Sequence, residues 1–306
     1  MFFSLMGASF QGIMEVFVLG ILGYIVIAGL TKNASLLDLL TKMVIRISLP
    51  CLIVSNMVTK FDPGELPYWW IFPLLAVGIN LTGAFAAYVY LRADHSVRYR
   101  GEFMALVAFQ NGIFLPLAFA PVLFGPDKLP VFLNLLFLFN LLNIPTFFIL
   151  VVWMLKASTG DGFSVRDLLS PPIIATILGF SLVLFGWEES VPDWILRPLG
   201  LFGSLSTPLS MLFVGGIIVV NLPKAQPADW MEPVKITVLK CLVMPAVATL
   251  IVYATKPPEY VALFLILQSV MPSASLTALV APKGSSQQTI AGAILLSSLV
   301  SIVTIP

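Results

Sequence analysis

Ten polar or backbone-breaking residues stand out in an otherwise apolar chain. Gln110, Asn111 and Gly112 form a run, and Pro116 follows four residues later. Gln268 is followed by Pro272, Ser273 and Ser275, and Asn140 and Asn143 lie in "FNLLNIP" just before Pro145. Their side chains are neutral amides and hydroxyls, which bind by donating and accepting hydrogen bonds. Gly112, Pro116 and Pro272 are poor continuations of a helix, because glycine adds backbone freedom and proline removes a donor. The set reads as a ligand-binding constellation: Gln110, Asn111, Gly112, Pro116, Asn140, Asn143, Gln268, Pro272, Ser273 and Ser275.

The elements that must hold these residues are spans of a membrane. Hydrophobic residues make up 59% of the chain and charged ones 10%, against roughly 25% charged in soluble domains. The mean hydropathy is +1.01. A spanning helix needs about 20 mostly apolar residues. Ten stretches qualify: Phe10–Leu30, Leu36–Val58, Trp69–Leu91, Gly101–Phe124, Leu129–Leu155, Pro171–Gly186, Leu196–Val220, Pro233–Ala254, Tyr260–Val280 and Gln288–Ile305. The fold expected is an all-α integral membrane protein. The N-terminus lacks the basic region and cleavage site of a signal peptide, and the glycines of the first span suit a permanent packed helix.

Basic residues orient the spans. With the N-terminus outside, 12 of the 16 Lys and Arg fall on the inner side, so both termini are expected outside the cytoplasm. The six tryptophans fall near span ends, as an interfacial belt does. Arg46 and Lys240, a few residues inside their spans, are expected to snorkel to the inner interface. Ser55 and Asn56 are expected at an interface, where the second span ends. Glu15 is expected to be solvated near the outer one.

Ten spans divide into two fives, residues 1–155 and 156–306, and an odd number per half inverts the second half. Two spacings support such a repeat. Pro50 of the second span and Pro208 of the seventh are 158 residues apart, and so are Gln110 of the fourth and Gln268 of the ninth. The fourth and ninth spans are therefore the two broken ones. In lipid an unpaired backbone group costs several kcal/mol, so broken helix at depth lies inside protein or beside a wet cavity. Inverted-repeat transporters cross two such helices at their substrate site. Two half-helix N-termini turned to that point favour an anion, and an apolar lining from Phe109, Phe114 and Met271 suits an organic one.

Other classes fit less well. An intramembrane aspartyl protease needs two aspartates at depth, and no long span has a central one. The single histidine, His95, is in a polar loop, and Cys51 and Cys241 read as reduced core residues, so neither a metal site nor any other cofactor is expected. There is no basic block for nucleic acid. Spans four and nine carry acids only at their starts, Glu102 and Glu259, which weighs against carboxylate-driven cation exchange. A sodium site built from neutral oxygens stays open.

The ordered set resembles the auxin efflux carrier family, a family of secondary transporters that includes plant PIN-FORMED proteins and compact prokaryotic members. The likeness runs over nearly the whole chain. It is carried by "LLTKMVIRISLPCLI" in the second span, by the Asn-Gly run with Leu-Pro-Leu in the fourth, and by "MPSASLTALVAPKGSSQQTIAGAILLSSLVSIVTIP" at the end. The family's usual Asn-Thr-Gly reads Gln-Asn-Gly here, so either Gln110 or Asn111 takes the asparagine's place. The resemblance implies a scaffold of helices 1, 2, 6 and 7, and a transport domain of helices 3–5 and 8–10. It further implies crossovers at Pro116 and Pro272, elevator-type transport of small organic anions, and a homodimer in the cell membrane. A sodium-coupled symporter of the bile-acid type is the nearest alternative, and a receptor or channel the next.

Overall fold

The computed structural model describes Met14 and residues 18–29, 34–61, 68–113, 115–116, 129–159, 169–221, 230–282 and 285–304. Glu15, Phe114 and the two chain ends lie outside them. Among the described residues the chain is helical, with no strand beyond one isolated β-bridge. The helices are α1 (Val18–Gly29), α2 (Ala34–Met43), α3 (Leu49–Lys60), α4 (Ile71–Ala93), α5 (Arg100–Ala108), α6 (Leu129–Thr159) and α7 (Pro171–Leu184). They continue as α8 (Asp193–Ser204), α9 (Ser206–Asn221), α10 (Met231–Val238), α11 (Met244–Thr255), α12 (Glu259–Ser269), α13 (Leu276–Val280) and α14 (Gln287–Thr304).

Three stretches are long and apolar enough to cross a membrane uninterrupted: Ile71–Ala93, Val131–Lys156 and Met231–Thr255. Several other spans are interrupted, and prolines account for some of the irregularities. A proline lacks an N–H and clashes with the carbonyl four residues back. Ahead of Pro50 the helix widens into a π turn over Val44–Ser48, where the Leu49 amide bonds to the Val44 carbonyl, five residues back. Ahead of Pro245 the same occurs over Leu239–Val243, with Met244 N–H on the Leu239 carbonyl. The break at Leu205, between α8 and α9, precedes Pro208.

Two groups of helices follow from the packing. The second span's α3 lies against α7 and α8, and α2 against α9. In the other group α4 packs on α5 and α6, and α10 on α14. The short α5 touches α4 and α6 from one half of the chain and α10 and α14 from the other. Helix α6 is the innermost long helix, with 67% of its apolar window buried against 33% for α4; it also carries Asn140 and Asn143.

Two expectations change here. Ser55 and Asn56 are buried, not interfacial, because α3 continues to Lys60 and places them midway, with the Ser55 hydroxyl near Gly200 of α8. Lys240 does not snorkel. It is fully buried, on the same helical stripe as the buried Pro233, Ile236, Thr237 and Met244. Arg46 is exposed, as expected.

Candidate functional site

Helix α5 stops at Ala108, and the chain runs extended through Phe109 and Gln110. Helix α12 stops at Ser269, and its chain turns at Val270 and runs on to Ala274. The two interrupted segments pair by backbone. The Asn111 amide donates to the Pro272 carbonyl at 2.8 Å, and the Ala274 amide to the Phe109 carbonyl at 3.0 Å. Gln110 and Ser273 thereby form an isolated antiparallel bridge. This is how the broken backbone avoids unpaired groups at membrane depth. Gly83 lets α4 pack against the end of α5, for a Cβ there would lie 2.7 Å from the Ala108 Cα.

On one side of the crossing runs a line of amides. Asn80 Nδ2 donates to Asn143 Oδ1 at 3.1 Å, and Asn143 Nδ2 to Asn140 Oδ1 at 3.1 Å. Asn140 Nδ2 in turn donates to the Gly112 carbonyl at 3.0 Å and to Leu136 O at 2.8 Å. Gly112 leaves the space this needs, for a Cβ there would sit 3.2 Å from both Asn143 Nδ2 and Gln268 Oε1. On the other side Ser273 Oγ donates to Leu106 O at 2.9 Å, Ser273 N–H to Ser297 Oγ at 3.2 Å, and Lys240 Nζ to Val107 O at 3.1 Å. The bonds to Leu106 and Val107 occupy carbonyls at the end of α5 that the helix leaves without partners.

A cavity of about 20 Å³ lies at the crossing, lined by Gln110, Asn111, Gly112, Asn140, Asn143, Phe147, Ala274 and Ser275 among others. Both side-chain atoms of Gln110 and of Gln268 are buried without a hydrogen-bond partner, as is the Ser275 hydroxyl. A void of that size holds about one water. A larger space of about 400 Å³ lies between Trp70, Leu74, Ile79, Met244, Ile251 and Leu265. Its lining is almost wholly apolar and contains no charged group.

Nine of the ten residues singled out by sequence thus come together, with different contacts. Gln110, Asn111, Gly112, Asn140, Asn143 and Ser275 border the cavity. Gln268 is fully buried, and its side-chain oxygen lies close behind Gly112. Pro272 contributes its carbonyl, Ser273 is committed to Leu106, and Pro116 is buried where helix resumes at Leu115. Sequence reading passed over Asn80 and Lys240. A lone asparagine in the middle of a 23-residue apolar helix and a lysine five residues before a proline were the available signals. Glu102 is buried but sits at the far end of α5, where it accepts the Ser286 N–H at 3.2 Å.

A family model described as membrane transport protein matches residues 8–162 and 159–306. The chain belongs to this family. It is the auxin efflux carrier family that the sequence resembles, and its members are transporters rather than enzymes. The protein is accordingly a multi-pass membrane transporter with a small-molecule substrate. No protein of curated function matches the chain.

Proposed function

We propose that this family member carries small organic anions by an elevator-type motion, with the crossing of the two broken spans as its substrate site. The carrying observation is the antiparallel pairing of Gln110 with Ser273 beside buried amides and a hydroxyl that have no partner. Unpaired buried polar groups cost about 1–3 kcal/mol each, so they call for a polar guest. Gln110, Asn111, Gln268 and Ser275 are the groups to meet a carboxylate, with the Asn140–Asn143 pair holding the Gly112 turn. No carboxylate borders the cavity, which disfavours a cationic guest that must shed its water.

The small cavity supports alternating access, since an organic acid needs far more room than one water. The mobile body is the group containing α4–α6 and α10–α14, and the framework is α1–α3 with α7–α9. The coincidence of two helix irregularities supports an inverted repeat: the π turn ends at Ser48, and the break at Leu205 gives way to helix at Ser206, 158 residues further on. A homodimer in the cell membrane with both termini outside belongs to the same reading.

Uptake of labelled carboxylates into proteoliposomes, with and without sodium, tests the substrate. Transport of organic cations with no response to any carboxylate competitor would end the anion reading. Cysteine tags at Met1 and after Pro306 test the orientation; labelling only after permeabilisation contradicts it.

A further inference from the structure

Lys240 is a lone ammonium at the centre of the protein. Its residue is fully buried. Among the described residues no carboxylate pairs with it, and of its three donors one is used, on the Val107 carbonyl. It lies in the π turn over Leu239–Val243, and its neighbour Cys241 also faces the crossing: Cys241 Sγ meets the Ser297 carbonyl at 3.6 Å, and Ser297 Oγ accepts from Ser273. Single π turns of this kind recur at functional sites.

The backbone of the crossing does not set a sign by itself. Helices α5 and α12 end there with their carbonyls, at Ala108 and Ser269, while helix begins again at Leu115 and Leu276. Two negative and two positive helix ends oppose each other. Lys240 tips this balance. It covers a carbonyl in the last turn of α5 with an amine that carries a positive charge when protonated, and Gln110 lies three positions on from Val107.

We propose that Lys240 is the specificity-determining charge of the crossing, the group that makes it prefer an anion to a neutral molecule of the same shape. The proposal rests on the organic-anion reading and assigns its selectivity to one side chain. An anion beside Gln110 lies roughly 10 Å from the ammonium, given about 3.5 Å of chain per residue. At an effective dielectric of about 20 that attraction amounts to a preference on the order of tenfold. A bound carboxylate also supplies the negative partner that the buried ammonium lacks.

The test compares acids with their primary amides, which match in shape and differ in charge. Purified protein is titrated with acetate, benzoate, phenylacetate and indole-3-acetate and with the four amides, reading the half-saturating concentration for thermal stabilisation. The unmodified protein is expected to favour the acid of at least one pair by roughly tenfold. Lys240→Arg keeps the preference. Lys240→Gln, or Lys240→Met as the variant that retains the apolar stem, brings acid and amide within about twofold by weakening the acid alone. A folded Gln or Met variant with the original acid-to-amide ratio overturns the role of Lys240 and leaves the anion reading standing. An unmodified protein that favours no acid over its amide brings down the anion reading itself, and the proposal with it.

Discussion

The line of asparagines beneath Gly112 makes an unequal set of stabilities. Asn140→Ala strips a donor from the Gly112 carbonyl and an acceptor from Asn143 Nδ2, while Leu136 O keeps its helical partner. Two buried groups are orphaned at about 1–3 kcal/mol each, so the variant loses about 2–6 kcal/mol. Asn80→Ala orphans only Asn143 Oδ1 and at the same time deletes Asn80 Oδ1, which already has no partner. The two effects nearly cancel, leaving about 0–1 kcal/mol. In an Asn143→Ala background the sign reverses. Asn80 then has no partner for either end of its amide, and Asn80→Ala becomes stabilising by about 1–3 kcal/mol. Apparent melting temperatures of the three single variants and the Asn80/Asn143 double, read by fluorescence size-exclusion in one detergent, give the ranking. The reasoning fails if Asn80→Ala costs as much as Asn140→Ala, or if it stays destabilising once Asn143 is gone.

Further outcomes follow from single contacts. Asn111→Ala leaves the backbone bond to Pro272 intact and should weaken carboxylate binding by about 1–3 kcal/mol in a folded protein; unchanged affinity in isothermal titration removes Asn111 from the site. Gly112→Ala drives a methyl to within 3.2 Å of Asn143 Nδ2 and of Gln268 Oε1 and 3.3 Å of Phe139, so overpacking of about 1–3 kcal/mol should lower the melting temperature together with ligand affinity. A variant with neither change would mean the turn has slack. Asp94, in the loop after α4, is held well below the ordinary carboxyl range, chiefly by the Lys235 ammonium at 2.6 Å and then by Ser96. A depressed carboxyl stabilises the fold at pH values above its unfolded value of about 4 and loses that contribution as pH falls. Asp94→Asn should therefore melt lower than the unmodified protein at pH 7, with the gap narrowing as pH falls below about 4; a gap independent of pH rules out the ion pair as its cause.

Membrane class and most spans were legible because they rest on composition and length, which any bilayer enforces alike. The two broken spans were legible because glycine, proline and amides signal against a lipid-facing helix whatever surrounds them. The contacts within the crossing were not. Gln110 and Ser273 pair across 163 residues of sequence, and Ser273 spends its hydroxyl on Leu106, which no local pattern encodes. Lys240 misled for a definite reason. It lies near a span end, where a long stem can reach water, but at 3.6 residues per turn it shares the buried stripe of Pro233, Ile236, Thr237 and Met244. Asn56 was assigned to an interface because the apolar run fades there, although the helix goes on for another turn to Lys60.

The hydrogen bonding at the crossing also bears on what moves. The hydrogen bonds at the crossing join Phe109 to Ala274, Asn111 to Pro272, Asn140 to Gly112, Lys240 to Val107 and Ser273 to Ser297. Each lies within the group α4–α6 and α10–α14, and none of them reaches α1–α3 or α7–α9. Across the boundary between the groups, α3 packs on α6, α6 on α7 and α9 on α14, with the Lys60 ammonium 5.3 Å over the Phe137 ring. Much of that packing is apolar, and apolar attraction has no preferred direction, so one group can slide on the other with little lost at each step. Directional bonds inside the body and largely apolar packing at its edge are what a carrier needs if it is to move its site whole. Opening by separating the two broken spans would instead break the Asn111–Pro272 and Phe109–Ala274 pair and leave four backbone groups bare at membrane depth, each at several kcal/mol. On the elevator reading proposed above, this bonding pattern fits travel of the intact crossing past α1–α3 and α7–α9 better than a mechanism that pulls the crossing apart.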